Sequence, residues 1–193
     1  NKIMVSTYTD GLYVYDYKEN IATHISKFDK RDAISDNYIF DVFKDVNGSV
    51  WIATFTGLNR FENNLAKFIT KSIYENGSLL SINYFLEMND GNVLIGTESG
   101  IKVFNTNDES IRDFKTFFKS KENYFESLYI YSFYLDTDSC LWVGTRDSGL
   151  YIYDIKSDKV IDVSEELDIK KLNHAVVREM VCDEFGNFWV ATN

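Results

Sequence analysis

Few residues in this 193-residue chain could do covalent or metal chemistry. There are two histidines, His24 and His174, and two cysteines, Cys140 and Cys182. That leaves little room for a His-based metal site or a His-assisted nucleophile. No pair of carboxylates stands at a spacing that acid–base work would explain. Asp45-Val46-Asn47-Gly48 and Asp136-Thr137-Asp138-Ser139 begin like calcium loops, yet neither reaches the closing bidentate Glu such a loop needs. They read instead as hairpin turns opened by an Asp that caps its own backbone. Two cysteines are too few for a disulfide framework and are expected to be free thiols. The histidines fall in stretches that read as solvated connections. The chain is expected to be no enzyme and to hold no cofactor and no metal.

Trp51, Trp142 and Trp189 could be platforms for sugar rings. Their spacing argues otherwise. Met4-Val5-Ser6-Thr7, Trp51-Ile52-Ala53-Thr54, Leu94-Ile95-Gly96-Thr97, Trp142-Val143-Gly144-Thr145 and Trp189-Val190-Ala191-Thr192 have one design, and their threonines recur at intervals of 47, 43, 48 and 47 residues. A tryptophan fixed at one place in a repeat serves the fold, filling space between neighbouring units. The threonines are expected to hydrogen-bond from one unit to the next.

The repeat extends to both sides. Ahead of the Trp position stand an aliphatic residue (Ile39, Ile82, Ile130, Val177), an apolar pair (Val42-Phe43, Phe85-Leu86, Phe133-Tyr134, Met180-Val181) and a turn residue (Gly48, Gly91, Ser139, Gly186). Behind it come Gly11-Leu12, Gly57-Leu58, Gly100-Ile101 and Gly149-Leu150, then Tyr15, Phe61, Phe104 and Tyr153. Phe68, Ile111 and Val160 mark a weaker last strand. Each unit is strand, turn, strand, turn, strand, turn, strand, which is the blade of a β-propeller: an all-β fold of four antiparallel strands per blade. The whole of 1–193 reads as one propeller segment. It divides into a partial unit at 1–37, units at 38–80, 81–128 and 129–175, and a partial unit at 176–193. Beginning and ending at a second strand, it is expected to be an open piece of a larger propeller; a compact ring of four or five blades closed by both termini competes. Open ends expose apolar faces and strand edges, which predicts a homo-oligomer.

Composition agrees. Aromatic residues make up 16% and Pro is absent, which favours strands. The net charge of −10 repels phosphate backbones, so nucleic acid is not an expected partner. No apolar run is long enough to cross a bilayer as a helix, and no basic start leads into an apolar stretch, so neither a span nor a signal peptide is expected.

The pattern aliphatic-x-x-Φ-Φ-x-Asp-x-x-Gly-x-x-Trp-Ile-Gly-Thr-x-x-Gly-Leu, where Φ is apolar, resembles the two-component regulator propeller repeat. The match is densest from Ile39 to Phe61, where Asp45, Gly48, Trp51, Thr54, Gly57 and Leu58 stand as the pattern requires. Met4 and Leu94 replace Trp, Met88 replaces the turn Asp and Ser139 replaces Gly. The resemblance implies the periplasmic sensor part of a membrane-bound hybrid histidine kinase of Bacteroidetes type, or of a diguanylate cyclase. It also implies seven-bladed propellers, oligosaccharides as ligands, and the remaining blades and signalling domains of a longer chain as partners.

The site follows from geometry. In a four-stranded meander the turn between the second and third strands lies at the same end as the connection to the next blade. The connections 70–80, 115–128 and 163–175 differ in length and composition. The second turns, Tyr8-Thr9-Asp10, Phe55-Thr56, Glu98-Ser99 and Arg146-Asp147-Ser148, vary while their neighbours repeat. Variation on a rigid scaffold is where binding usually lives; drift of solvent-facing turns is the alternative. The candidate ligand-binding residues are Tyr8, Asp10, Phe55, Glu98, Arg146 and Asp147. Tyr131, His174 and Arg178, near the starts of first strands, could face the same end.

Overall fold

Runs of β-branched and aromatic residues broken by Gly- and Asp-bearing turns give antiparallel hairpins almost throughout. A computed structural model describes residues 2–30, 33–62, 67–88, 91–166 and 168–193. Its contacts divide the chain into Asn1–Asn83 and Tyr84–Asn193.

In the first part, β1 (Lys2–Ser6), β2 (Leu12–Asp16) and β3 (Ile21–Ile25) form a three-stranded sheet in sequence order. A four-stranded sheet follows, in the order β4 (Ile39–Lys44), β5 (Val50–Thr54), β6 (Gly57–Glu62), β7 (Lys67–Lys71). A short hairpin, β8 (Tyr74–Glu75) with β9 (Ser78–Leu79), sits in the connection after it. Leu12, Val14, Ile34, Ile39, Ile52, Phe61 and Phe68 form one buried cluster. Asn59 is also buried, and it is satisfied: its Oδ1 accepts from Ser35 N and Thr70 Oγ1, and its Nδ2 donates to Ser35 Oγ, each at 2.9 Å.

The third sheet runs β10 (Ile82–Glu87), β11 (Asn92–Thr97), β12 (Gly100–Asn105), β13 (Ile111–Asp113), and is followed by a one-turn helix, α1 (Phe114–Phe118). The fourth runs β14 (Ile130–Leu135), β15 (Cys140–Thr145), β16 (Leu150–Asp154), β17 (Lys159–Asp162), followed by α2 (Val163–Glu166). A two-stranded sheet, β18 (Val177–Cys182) with β19 (Phe188–Thr192), completes the second part. These are propeller-type blades of antiparallel strands in meander order, open sheets and not a closed barrel.

The recurring small residue before each threonine sets how closely two sheets approach. A Cβ on Gly144 would lie 2.6 Å from Val177 Cγ1, and one on Gly96 would lie 3.0 Å from Ile130 Cγ2. One cross-sheet hydrogen bond in the second part comes from Ser132, whose Oγ donates to Val177 O at 3.1 Å.

The threonines differ from expectation. Thr7, Thr54, Thr97 and Thr145 each donate Oγ1–H to the carbonyl of Gly11, Gly57, Gly100 or Gly149 in their own sheet, at 2.8–2.9 Å. A hydroxyl on the last residue of a strand is too short to leave its own turn, so it closes that turn. Among the described residues, Thr54 alone of these adds a bond to a preceding segment, with Ser35 Oγ at 2.7 Å. Of the tryptophans, Trp51 is 2% exposed. Trp142 is half-buried against Phe188 of the following sheet, with ring centroids 4.3 Å apart, and Trp189 is exposed. Cys140 and Cys182 are free thiols.

The connection 115–128, expected to be a variable binding loop, is anchored in the core by Phe125 and Ser120 while most of its other residues stay exposed. Phe114 and Phe125 are buried around Tyr153, with centroids 5.0 and 6.2 Å from its ring. Asp158, at the β16–β17 turn, accepts from Ser120 Oγ, Lys121 N and the Tyr153 hydroxyl. Burial pushes the Tyr153 hydroxyl up to about 12, and Asp158 adds to the rise while Ser120 opposes it. Five aromatic residues between 114 and 125 leave that segment more to gain from burial than from solvent.

Candidate functional site

One irregularity recurs at the same place in three sheets. In β4 the register passes from Ile39↔Thr54 to Asp41↔Ala53, so Phe40 is an extra residue outside the ladder. Tyr131 is extra in β14, between Ile130 and Ser132, and Arg178 is extra in β18, between Val177 and Glu179. A bulge bends the strand and re-aims its extra side chain. Here it delivers one side chain per sheet to the end where the second turns lie. That end is fixed by backbone hydrogen bonds: Phe55 N to Tyr38 O at 3.1 Å and Arg146 N to Tyr129 O at 2.9 Å join each second turn to the start of its sheet. Gly11 N to Asn37 O and Gly149 N to Ala175 O join it to the outgoing connection.

Within 1–83 the rim is aromatic. Tyr8 stands edge-on to Tyr38 at 5.5 Å and to Phe40 at 6.1 Å, and Phe55 lies 6.4 Å from Tyr38. Tyr8, Tyr38 and Phe55 are exposed. Beside them the buried hydroxyl of Thr56 has no hydrogen-bond partner among the described residues. Asp10 accepts from the Tyr13 hydroxyl at 2.6 Å, which raises the Tyr13 pKa. His24 departs from expectation: it lies in β3, stacked on Tyr13 at 4.6 Å, with its Nε2 3.7 Å from Asp10 Oδ1. Strand alternation places it beside its cross-strand neighbour Tyr13.

Within 84–193 the rim is cationic and aromatic together. The Arg146 guanidinium carbon lies 5.0 Å over the Tyr129 ring, and that of Arg178 lies 4.8 Å over Tyr131. Tyr129 and Tyr131 meet edge-on at 5.2 Å. Arg146, Tyr131 and Arg178 thus become one row, joined through Tyr129. Next to it His174 Nδ1 faces the carbonyl oxygen of Asp147 at 3.3 Å. His174 has φ +62°, a left-handed backbone that turns the connection back toward β18. Glu98 lies half-buried in the turn between β11 and β12.

Tyr38, Phe40 and Tyr129 escape sequence reasoning because they sit in stretches assigned to the strand pattern. Their signal was present: Tyr38-Ile39-Phe40 and Tyr129-Ile130-Tyr131 put an aromatic residue on each side of the repeating aliphatic residue. The turns at Asp45, Asp136 and Asp183 leave little for a ligand at the opposite end. Both oxygens of each carboxylate accept N–H groups of the protein.

The model of the family described as two component regulator propeller matches residues 33–56 and 124–147. The chain carries two component regulator propeller repeats. Both matched stretches run from the incoming connection, through the bulged first strand, to the second turn, so they contain Phe40, Phe55, Tyr131, Arg146 and Asp147. Among solved structures, the extracellular domain of a one component system from B. thetaiotaomicron is similar, with TM-score 0.79 and 23% identity over 99% of this chain and 25% of that one. A structure of an extracellular domain described as part of a hybrid two component system from the same organism gives TM-score 0.75, with the same identity and coverage. The repeat chain therefore spans a quarter of the length of these two structures. Virginiamycin B lyase from Staphylococcus aureus gives TM-score 0.66 at 12% identity, over 99% of this chain and 59% of that one. These likenesses establish the fold. None of the curated proteins compared with the chain matches it. Among the described residues no helix is long and apolar enough to cross a membrane.

Proposed function

We propose that the chain is part of an extracytoplasmic, periplasmic sensor propeller of a two-component signalling protein. It binds a small ligand, an oligosaccharide foremost, at the rim of second turns and bulged first strands. The carrying observation is that the repeat's matched stretches contain the bulges at Phe40 and Tyr131 and the second turns at Phe55 and Arg146, with Arg178 at the corresponding bulge of the next sheet. The proposed action is non-covalent: ligand held at the rim biases the arrangement of two receptor chains, through remaining blades and signalling domains. The mechanism calls on no catalysis, in keeping with threonine hydroxyls and histidine rings engaged in turn contacts.

Support for the rim is chemical. Tyrosine offers an apolar face and a polar tip, arginine a planar fork of donors, and Asp147 acceptors for hydroxyls. The test is a thermal-shift panel of neutral and acidic oligosaccharides on the purified chain. At least one should raise the melting temperature, and Tyr131→Ala with Asp147→Ala should remove that rise while leaving the unliganded value in place. A silent panel, or binding indifferent to the rim substitutions, overturns the reading.

A second reading, a module that only dimerises, is favoured by the exposed apolar residues Ile3 and Val5 on β1 and Val181 and Trp189 on β18 and β19. Light scattering separates it: self-association without any ligand response supports a dimerising module.

A further inference from the structure

We infer that the rim of residues 84–193 takes an anionic ligand, an acidic saccharide whose carboxylate is gripped by Arg146 and Arg178. This rests on the rim reading above and names the ligand's chemistry. A guanidinium carbon 4.8–5.0 Å over a tyrosine ring is drawn to the ring's negative face, and its five N–H donors are more than that contact can occupy. The ring contact thus restrains the side chain without using its donors, which lowers the ordering cost of a later bidentate bond. Arg146 makes no side-chain hydrogen bond or ion pair among the described residues, and Arg178 uses only Nε, in a long 3.4 Å contact to Asn193 Oδ1.

Two exposed arginines kept off carboxylates are notable in a chain with ten more acidic than basic residues. Asp147 and Glu179 lie next to them in sequence, so an arginine held only to balance charge has carboxylates within short reach. The guanidinium groups lie over the tyrosine rings instead. Glu179 is engaged elsewhere, accepting from the Tyr84 hydroxyl at 2.8 Å and from Met180 N. Among the described residues the Asp147 carboxylate receives only the Ser148 hydroxyl, at 3.3 Å, and remains able to accept from a sugar hydroxyl. Carboxylate on the arginines, hydroxyl on Asp147 and ring face on the tyrosines together describe a sugar acid better than a neutral sugar or a bare anion. The overall negative charge disfavours casual adsorption of anions elsewhere on the chain.

The test is isothermal titration of the purified chain with trigalacturonate, neutral galactotriose and inorganic sulfate. Trigalacturonate should bind saturably, more weakly as salt rises, because the arginines are exposed. Arg146→Ala and Arg178→Ala should each weaken it about tenfold, the scale of a lost charge-assisted pair. Arg146→Lys, which keeps the charge and loses the planar fork, should also weaken it, with melting temperature unchanged. Equal affinity for galactotriose overturns the anionic inference and leaves the rim reading standing if Asp147→Ala weakens both sugars. Sulfate binding as tightly as trigalacturonate overturns the saccharide frame. Trigalacturonate binding untouched by either arginine substitution, or absent, overturns the inference, and the wider panel then decides the rim reading by itself.

Discussion

The indole N–H of Trp51 donates to Oδ2 of Asp45, six residues earlier, at 2.8 Å. The same bond joins Trp142 to Asp136 at 3.1 Å and Trp189 to Asp183 at 2.8 Å. It ties the second strand of these three sheets to the turn that precedes it, and the other carboxylate oxygen accepts backbone N–H groups from that turn. In the third sheet both partners change together. Met88 stands where the Asp would be and Leu94 where the Trp would be, and Leu94 is buried. Loss of the donor alone would leave a carboxylate short of a partner, and loss of the acceptor alone would bury an unpaired N–H. The joint exchange avoids both.

Trp51→Ala should therefore cost about 3–5 kcal/mol, the range for a buried large aromatic. Trp142→Ala should cost less and Trp189→Ala least, following their exposure. Asp45→Ala combined with Trp51→Leu should cost less than the two single changes added, because each single change strands the other's polar group. Urea denaturation measures all of these. Strict additivity would show that the two side chains are independent.

Gly144→Ala should destabilise the fourth and fifth sheets by about 1–3 kcal/mol, as overpacking does. The new methyl would meet Ser132 Oγ and Val177. Val177→Ala should recover part of that loss in the double variant. No recovery would mean that Ser132 carries the conflict.

The Asp183 carboxyl is held down to about 2 by the Trp189 indole and the Asn187 side chain. A depressed folded value means that its contribution is complete above the ordinary value of 3.8 and is lost as pH falls through about 2. Trp189 fluorescence or the shift of its indole proton should follow that loss between these limits. Trp189→Phe, which removes the largest cause, should move the Asp183 titration upward. A titration already finished near 3.8 in the unsubstituted chain would contradict the bond.

Phe125→Ala should cost about 3–5 kcal/mol and open 115–128 to limited proteolysis, since this ring anchors the segment beside Tyr153. Tyr153→Phe, which removes the hydroxyl and its bonds to Asp158 and Ser120 while keeping the ring, should cost about 1 kcal/mol. Equal protease resistance in all three proteins would show that the segment is held elsewhere.

Blade architecture was legible because a propeller repeats its burial pattern. Ile39, Val42, Trp51 and Leu58 recur in kind, and chance does not repeat four such positions at matching offsets. What escaped was set by contacts between residues distant in sequence. Phe114 and Phe125 look like a loop's aromatic residues until Tyr153 is beside them. The threonines' partners differ from the expected ones, Thr54 to Ser35 excepted, because periodicity reveals that a hydroxyl is needed and not where it points. His24 reads as part of a connection because the first unit's last strand is exposed at four of its five residues, so no burial pattern marks it. At the rim, the turn residues Tyr8, Phe55 and Arg146 stood out by failing to repeat. Tyr38 and Tyr129 were hidden by their place beside conserved-looking aliphatic positions within a single chain.

The bulge at Phe40, Tyr131 and Arg178 gives this fold a set of interchangeable sockets. A residue outside the ladder owes nothing to pairing, and one aimed at the rim owes little to the core. Phenylalanine, tyrosine and arginine occupy the same socket in one chain without altering the strand around it. Chemical taste can then be rewritten one blade at a time, with the folding instructions left as they were. Randomising only these three positions should yield proteins of near-constant melting temperature and widely differing ligand preference.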